Sequence, residues 1–278
     1  MNILKAILFG IIEGITEWMP ISSTAHMRIL NLFLPLDLTP AFYDLFETLI
    51  RLGTILALVL VFWNRIWPFG PSKNPLGEGI LANVKKDKIV LWLKIIVACI
   101  PAILYEFLLS DLFGFVNEKN EMIIIGVAFI LVGVILIALE VKMKGRNFAV
   151  ASIRQITFLQ AFIIGLVQVL AAVFPGVSRL GATIIAALLL GICRPAATEF
   201  TYELAIPMIV GAAIMKILKF SAAVSFYEIA TLLTGCVFAF AVSLFMIRYV
   251  LNYIRRNTFT IFGIYRVLMG IVILIFLR

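Results

Sequence analysis

The chain reads as an all-α polytopic membrane protein built from two inverted-topology repeats. Three observations predict this. Of its 278 residues, 63% are hydrophobic and only 14% charged, where a soluble domain carries about a quarter charged residues. Six apolar stretches are each long enough to cross a bilayer as a helix. Two further apolar stretches are broken in the middle by proline and hydroxyl residues. In lipid such breaks are tolerated only where the backbone is buried in protein or lines a watery cavity.

The elements follow in order. Residues 3–34 are apolar except where Pro20 and the run Ser22-Ser23-Thr24 interrupt them. They read as two half-helices of a re-entrant hairpin. Residues 1–19 run straight into this polar cluster, so no cleavable signal is expected there. Apolar spans follow at 42–63, 89–109 and 121–141 and complete repeat one, residues 1–145. Residues 157–192 are interrupted from Pro175 to Arg179 and read as a second re-entrant hairpin. Spans at 197–218, 228–247 and 259–277 complete repeat two, residues 151–278. The chain 1–278 is then a single membrane domain.

The repeat is visible in the residues. Gly10, Glu13, Pro20 and Ser23 align with Gly165, Gln168, Pro175 and Ser178 at an offset of 155, and Phe46 aligns with Phe200 at 154. A hairpin plus three spans makes an odd number of crossings, so the second copy sits upside down. In that plan the site lies at midplane, where the two interrupted segments meet. Orientation follows from charge. The stretches 64–88, 142–156, 193–196 and 248–258 carry thirteen of the 23 Lys and Arg residues, from Arg65 to Arg256. The other face has Lys5, Arg28, Lys119, Lys219 and Arg278. The positive-inside rule makes the first face cytoplasmic and puts both termini outside. Basic residues confined to loops between spans speak for a membrane rather than nucleic acid. Cys99, Cys193 and Cys236 fall in apolar stretches without metal-ligand spacing and read as free thiols.

The chemistry concentrates in the two interruptions. Glu13 and Glu17 are four apart and share a helix face. Paired carboxylates share a proton or hold a cation, and oxygen-rich sites suit magnesium or calcium completed by substrate phosphates. Ser22, Ser23 and Thr24 stand where a second half-helix begins, a position that suits capping and equally suits an anion. His26, the only histidine, falls in the first turn beside Ser23. In the second interruption Ser178 and Thr183 supply hydroxyls, and Arg179 supplies a cationic fork that matches phosphate oxygens. Acids, a hydroxyl nucleophile, a histidine, an arginine and two helix starts together fit phosphoryl transfer. A phosphate ester reached from within a bilayer implies a lipid-linked phosphate.

Residues 13–26 match E-G-x-T-E-F-x-P-x-S-S-T-G-H, and residues 175–183 match P-G-x-S-R-S-G-x-T. On these motifs, their order and the chain length, the sequence resembles the undecaprenyl-diphosphate phosphatase family, the BacA/UppP-type bacitracin-resistance proteins. The resemblance implies a bacterial inner-membrane hydrolase. It would convert undecaprenyl diphosphate to the monophosphate, recycle the lipid carrier for cell-wall polymers and confer bacitracin resistance. It also implies a divalent cation and a site made of Glu13, Glu17, Ser22, Ser23, His26, Ser178, Arg179 and Thr183. Five positions depart from the family pattern: Trp18 for phenylalanine, Ala25 for glycine, Leu180 for serine, Arg51 for glutamine and Glu203 for an apolar residue. Arg51 and Glu203, one in each repeat, are expected to pair across the repeat interface, unless Arg51 meets Glu47 one turn before it or a second phosphate.

The expected mechanism places the lipid tail among the spans and the diphosphate between the tips. Glu13 and Glu17 hold a cation, while Arg179, Ser178, Thr183 and Ser22 bind phosphate oxygens. Ser23 is the expected nucleophile with His26 moving protons; His26 itself or a water are the other candidates. The site is expected to open outward. A polyprenyl-phosphate flippase, or a paralogue acting on another lipid diphosphate, is the competing reading. A homodimer is among the assemblies this reading allows.

Overall fold

A computed structural model of the chain describes residues 2–70, 85–109, 116 and 120–277. Lys73, Lys119 and Arg278 of the charge argument lie outside them. Among the described residues the secondary structure is overwhelmingly helical, with an isolated bridge between Val150 and Ile192. The helices are α1 (Asn2–Thr16), α2 (Ser23–Phe33), α3 (Pro40–Leu49), α4 (Arg51–Ile66), α5 (Lys86–Leu108), α6 (Glu121–Lys142), α7 (Phe158–Val173), α8 (Arg179–Leu189), α9 (Arg194–Lys219), α10 (Phe226–Arg256) and α11 (Thr260–Phe276). Ile50 keeps helical dihedrals between α3 and α4, so Pro40–Ile66 is one 27-residue element. With α5, α6, α9 and α10 it makes five helices long and apolar enough to cross a membrane. α11, at 17 residues, sits at the lower limit of a spanning helix.

Local signals start the elements. Thr39 caps α3 by accepting from Phe42 N, with Pro40 in the first turn. Thr157 with Gln160, and Ser225 with Glu228, form capping boxes at α7 and α10.

Both interrupted stretches fold as helix pairs whose outer ends lie together. At the base of the first, the Asn2 side chain donates to Asp37 O (2.6 Å) and accepts from Asp37 N (3.1 Å). The Asn2 backbone N–H also donates to the hydroxyl of Tyr227, at the start of α10 (3.1 Å). At the base of the second, the Gln160 side chain donates to Leu190 O (3.2 Å), and Cys193 N donates to Val150 O (2.8 Å). A second set of bonds gathers the basic loops. Arg65 pairs with Glu199 (2.7 Å), Arg154 with Asp87 (2.9 Å), and Arg194 grips Glu140 with two nitrogens, while Phe259 N also donates to Glu140 (3.0 Å).

The helices pack pairwise: α1 on α10, α7 on α5, α6 on α11 and α4 on α10. Between lipid-facing helices there is no hydrophobic drive to associate, so small residues that admit close backbone approach carry the packing. Gly165 of α7 is, with Gly53 of α4, among the tightest cases. A Cβ there would stand 2.2 Å from the Ala98 carbonyl of α5, the same carbonyl that accepts from the Gln168 side chain (2.8 Å). Gly165→Ala is therefore expected to destabilise by about 1–3 kcal/mol, as overpacking does. Gly211→Ala, where a Cβ meets nothing within 4 Å, is expected to be neutral or slightly stabilising. Melting of the two purified variants in detergent checks this; equal melting temperatures would show that α5 and α7 do not meet at this distance.

The largest apolar cluster joins Trp18 of the first interruption and Leu180, Ile184 and Leu188 of α8 to residues of α4, α6, α9 and α10. Both interruptions are thus held inside the bundle. The Tyr202 hydroxyl of α9 donates to Trp18 O (2.6 Å) and its ring meets the indole edge-on.

Three expectations are corrected. The span 228–247 lies within a 31-residue helix that continues to Arg256. Hydropathy reports the apolar layer, whereas the backbone bonds of a helix continue past it through polar residues such as Arg248 and Asn252. The first break covers residues 17–22, so Ser23 and Thr24 are helical. The helix starts pair Ser22, not Ser23, with Ser178. Finally, Arg51 and Glu203 do not pair. The Arg51 guanidinium lies 3.7 Å from Glu13 and 3.9 Å from Glu47 and donates to the Thr24 hydroxyl (2.6 Å). Glu203 is buried on α9 in the field of Glu199, Arg65 and Lys88.

Candidate active site

The two tips meet inside the bundle. α1 ends at Thr16, and residues 17–22 turn tightly, with Met19 N donating to Thr16 O (3.3 Å) and Ile21 N to Met19 O (2.7 Å). α7 ends at Val173 and α8 begins at Arg179. The residue before each second helix, Ser22 (φ 71°) or Ser178 (φ 70°), has positive φ; among the described residues no other non-glycine residue does. Such backbone costs about 1–3 kcal/mol per residue and collects at functional sites. Here it recurs at the same place in both tips.

Glu17 joins the tips. Its Oε1 accepts from Arg179 Nη2 (2.6 Å), 162 residues away in sequence, and its Oε2 accepts from Ser23 Oγ (2.5 Å). Glu17, Ser22, Ser23 and Ser178 are all buried. One carboxylate therefore bridges a serine hydroxyl on one hairpin and a guanidinium on the other. Ser178 Oγ caps α8 by accepting from Gly181 N (3.1 Å), while Ser22 makes no side-chain cap. Thr183 is fully buried, and its hydroxyl donates back to Arg179 O (2.9 Å).

Both ring nitrogens of His26 bond groups other than Ser23. Its Nδ1 lies 2.8 Å from Ser22 O and its Nε2 lies 2.6 Å from the Tyr265 hydroxyl. A carbonyl oxygen only accepts, so Nδ1 carries the proton and Nε2 accepts from Tyr265. The two rings stack at 5.8 Å and 12°. The group within reach of the Ser23 hydroxyl is thus Glu17, not His26.

Several buried polar atoms at the tips have no hydrogen-bond partner: both oxygens of Glu13, Arg179 Nη1 and Arg51 Nε. Unsatisfied buried groups are rare and call for an explanation. These suit a ligand that brings both signs. Arg179 Nη1 is a free donor for an oxyanion, and the Glu13 oxygens are the kind a hard divalent cation takes. Among the described residues no cluster of three or more His, Cys, Asp or Glu side chains could hold a metal by itself, so phosphate and water oxygens would have to complete such a shell.

Two residues of α11 were missed by sequence reasoning. Tyr265 holds His26, and Arg266 donates to backbone carbonyls of both tips. Arg266 did leave a signal, because it is the sole charged residue within the apolar stretch 259–277, and ionisable groups at that depth are functional by default. Tyr265 left none.

Over residues 6–272 the chain matches the family described as bacitracin resistance protein BacA. It is 44% identical over 278 residues to an undecaprenyl-diphosphatase of Desulfitobacterium hafniense, covering 99% of this chain and 96% of that one. An undecaprenyl-diphosphatase of Enterococcus faecalis is 42% identical, with 99% and 97% covered. Undecaprenyl-diphosphatase 1 of Clostridium acetobutylicum is 41% identical, with 99% and 97% covered.

Proposed function

The chain belongs to the BacA family of bacitracin resistance proteins, and from that premise we propose that it hydrolyses undecaprenyl diphosphate to undecaprenyl phosphate and inorganic phosphate. It is a multi-pass membrane protein. The observation that carries the reading is the Arg179–Glu17–Ser23 chain of bonds across the two tips. It connects a nucleophile, its proton acceptor and a phosphate-binding cation through two hydrogen bonds.

The terminal phosphate enters between the tips and takes Arg179. Until then Glu17 is bonded to Arg179. A phosphate that competes for the guanidinium leaves the carboxylate free to accept the Ser23 proton. Ser23 Oγ attacks the terminal phosphorus, the bond to the bridging oxygen breaks, and undecaprenyl phosphate leaves. Water then attacks the phosphoserine and releases inorganic phosphate. The helix starts at Ser22–Ser23 and Ser178–Arg179 present backbone N–H groups to the charge. Ser178 and Thr183 shape the second tip through their backbone bonds, and His26, fixed by Ser22 and Tyr265, lines the first. Glu13 and Glu17 are the residues that would hold a magnesium or calcium ion. Such an ion supplies charge neutralisation for the diphosphate.

The inverted-repeat plan is part of the same proposal. It is supported by the helix pairs with joined bases, by the positive φ at Ser22 and Ser178, and by the matched packing of α1 on α10 and α7 on α5. The cluster of basic loops around Glu140, Asp87 and Glu199 supports a cytoplasmic assignment for that end of a bacterial inner-membrane protein.

Purified wild-type protein in detergent is expected to release phosphate from undecaprenyl diphosphate, and more with magnesium or calcium than with chelator. A transporter on this fold would release none. Rapid quench of turnover is expected to trap a phosphoenzyme that Ser23→Ala lacks. A phosphoenzyme persisting in Ser23→Ala would move the nucleophile elsewhere.

A further inference from the structure

α11 passes both tips, and Arg266 is fully buried where they meet. Its Nη1 donates to Pro20 O (3.0 Å), and its Nη2 donates to Gly176 O (2.7 Å) and Ala128 O (3.3 Å). The guanidinium lies over the Phe129 ring, 4.7 Å from its centroid. Among the described residues it makes no ion pair. A buried cation without a carboxylate is an expensive way to fill a membrane core. An apolar side chain would pack there at lower cost.

The contacts indicate what the cation does. Pro20 and Gly176 each stand two residues before the positive-φ serine, Ser22 or Ser178, that turns the chain into the second helix of its hairpin. They are equivalent carbonyls of the two tips. A guanidinium is rigid and planar and offers five donors in a fixed fork, so two ends of one side chain can hold two carbonyls at a set separation. We infer that Arg266 is a positioning residue that holds the two tips in register and thereby sets the Glu17–Arg179 contact; this rests on the hydrolase reading. Substrate phosphate is held by Arg179 on one tip, while the attacking hydroxyl and its base, Ser23 and Glu17, sit on the other. Loss of register therefore acts on the chemical step more than on binding. Displacement of reacting groups by an ångström can cost about a hundredfold.

The test measures phosphate release from undecaprenyl diphosphate by monodisperse Arg266→Lys and Arg266→Met protein, each also combined with Arg179→Lys. Arg266→Met is expected to lower kcat about 100-fold with KM within about threefold of wild type. Arg266→Lys, which keeps the charge but loses the fork, is expected to recover about tenfold of that loss. In the Arg179→Lys background, where the contact served by the register is already weakened, Arg266→Met is expected to cost less than about tenfold. A smaller fraction of folded enzyme would instead scale both backgrounds by the same factor, and equal factors overturn the inference. So does a kcat within threefold of wild type, or failure of both variants to yield folded protein, which would assign Arg266 to folding alone. The wild-type arm separates the two readings: no release by wild type overturns the hydrolase assignment itself, and this inference with it.

Discussion

Glu17→Gln is expected to lower kcat for phosphate release from undecaprenyl diphosphate by about a thousandfold, within the range that general-base removal costs. Glutamine keeps the size of the side chain and both hydrogen-bonding ends, but it has one acceptor and one donor where Glu17 has two acceptors. If its carbonyl faces Arg179, its NH₂ faces the Ser23 hydroxyl and cannot take a proton. If it flips, the NH₂ opposes the guanidinium. Either way Ser23 loses the carboxylate that now accepts from it at 2.5 Å. The KM carries two opposed effects, because Arg179 loses the anion that competes with phosphate while a divalent cation loses one of its two carboxylates. Steady-state kinetics of phosphate release on folded Glu17→Gln protein checks this. A kcat within tenfold of wild type would remove Glu17 from the proton path, and a large rise in KM at unchanged kcat would make it a binding residue instead.

Arg179→Ala is expected to act on activity and stability together. Activity falls by about 10³-fold or more in kcat/KM, since the cation facing the terminal phosphate is gone. Stability falls because Glu17 is left in a buried site without its partner; breaking a buried pair from one side costs about 3–5 kcal/mol. The side chains are 21% and 7% exposed, so the effect should lie toward the low end of that range. Arg179→Lys separates the two effects. It restores a charge beside Glu17 and most of the melting temperature. It cannot donate to Glu17 and a phosphate oxygen through one planar fork, so it should recover only part of kcat/KM. Melting curves and kinetics on both variants decide the matter. Full activity in Arg179→Ala would remove the residue from the site.

Much of this architecture was legible in the chain. Pro20 and Pro175 interrupt otherwise continuous apolar stretches, and a break in an apolar helix is a local event that needs no knowledge of neighbours. The residue types at the tips were legible for the same reason: carboxylates, hydroxyls and Arg179 stand out against lipid-compatible surroundings. Arg51 and Glu203 show where this reasoning stops. Both are unusual charges, and nothing in the order of residues says whether they meet. At 1.5 Å per residue, Arg51 stands about 16 Å from the start of its 27-residue element. Glu203 stands about 14 Å from the start of α9, which begins at the opposite end of the bundle. Their depths and facing directions differ, and no local pattern reports either. His26 stands three residues after Ser23, the spacing of neighbours on one helix face, yet its ring bonds Ser22 O and Tyr265.

The class of molecule, the places where helices start and break, and the set of groups available for chemistry are all written in the order of the residues. These follow from hydropathy, backbone sterics and the cost of charge in lipid, all of which act over a few residues. Which of these groups meet is fixed by the packing of the helices. Glu17 bonds Ser23 and Arg179, Arg51 turns to Glu13 and Thr24, His26 turns to Tyr265, and Arg266 spans Pro20 and Gly176. A hydrogen bond is made at about 3 Å and fails with poor alignment. A helix rotated by one residue turns its side chains through about 100°, so partner choice depends on the rotation and depth of every packed helix at once.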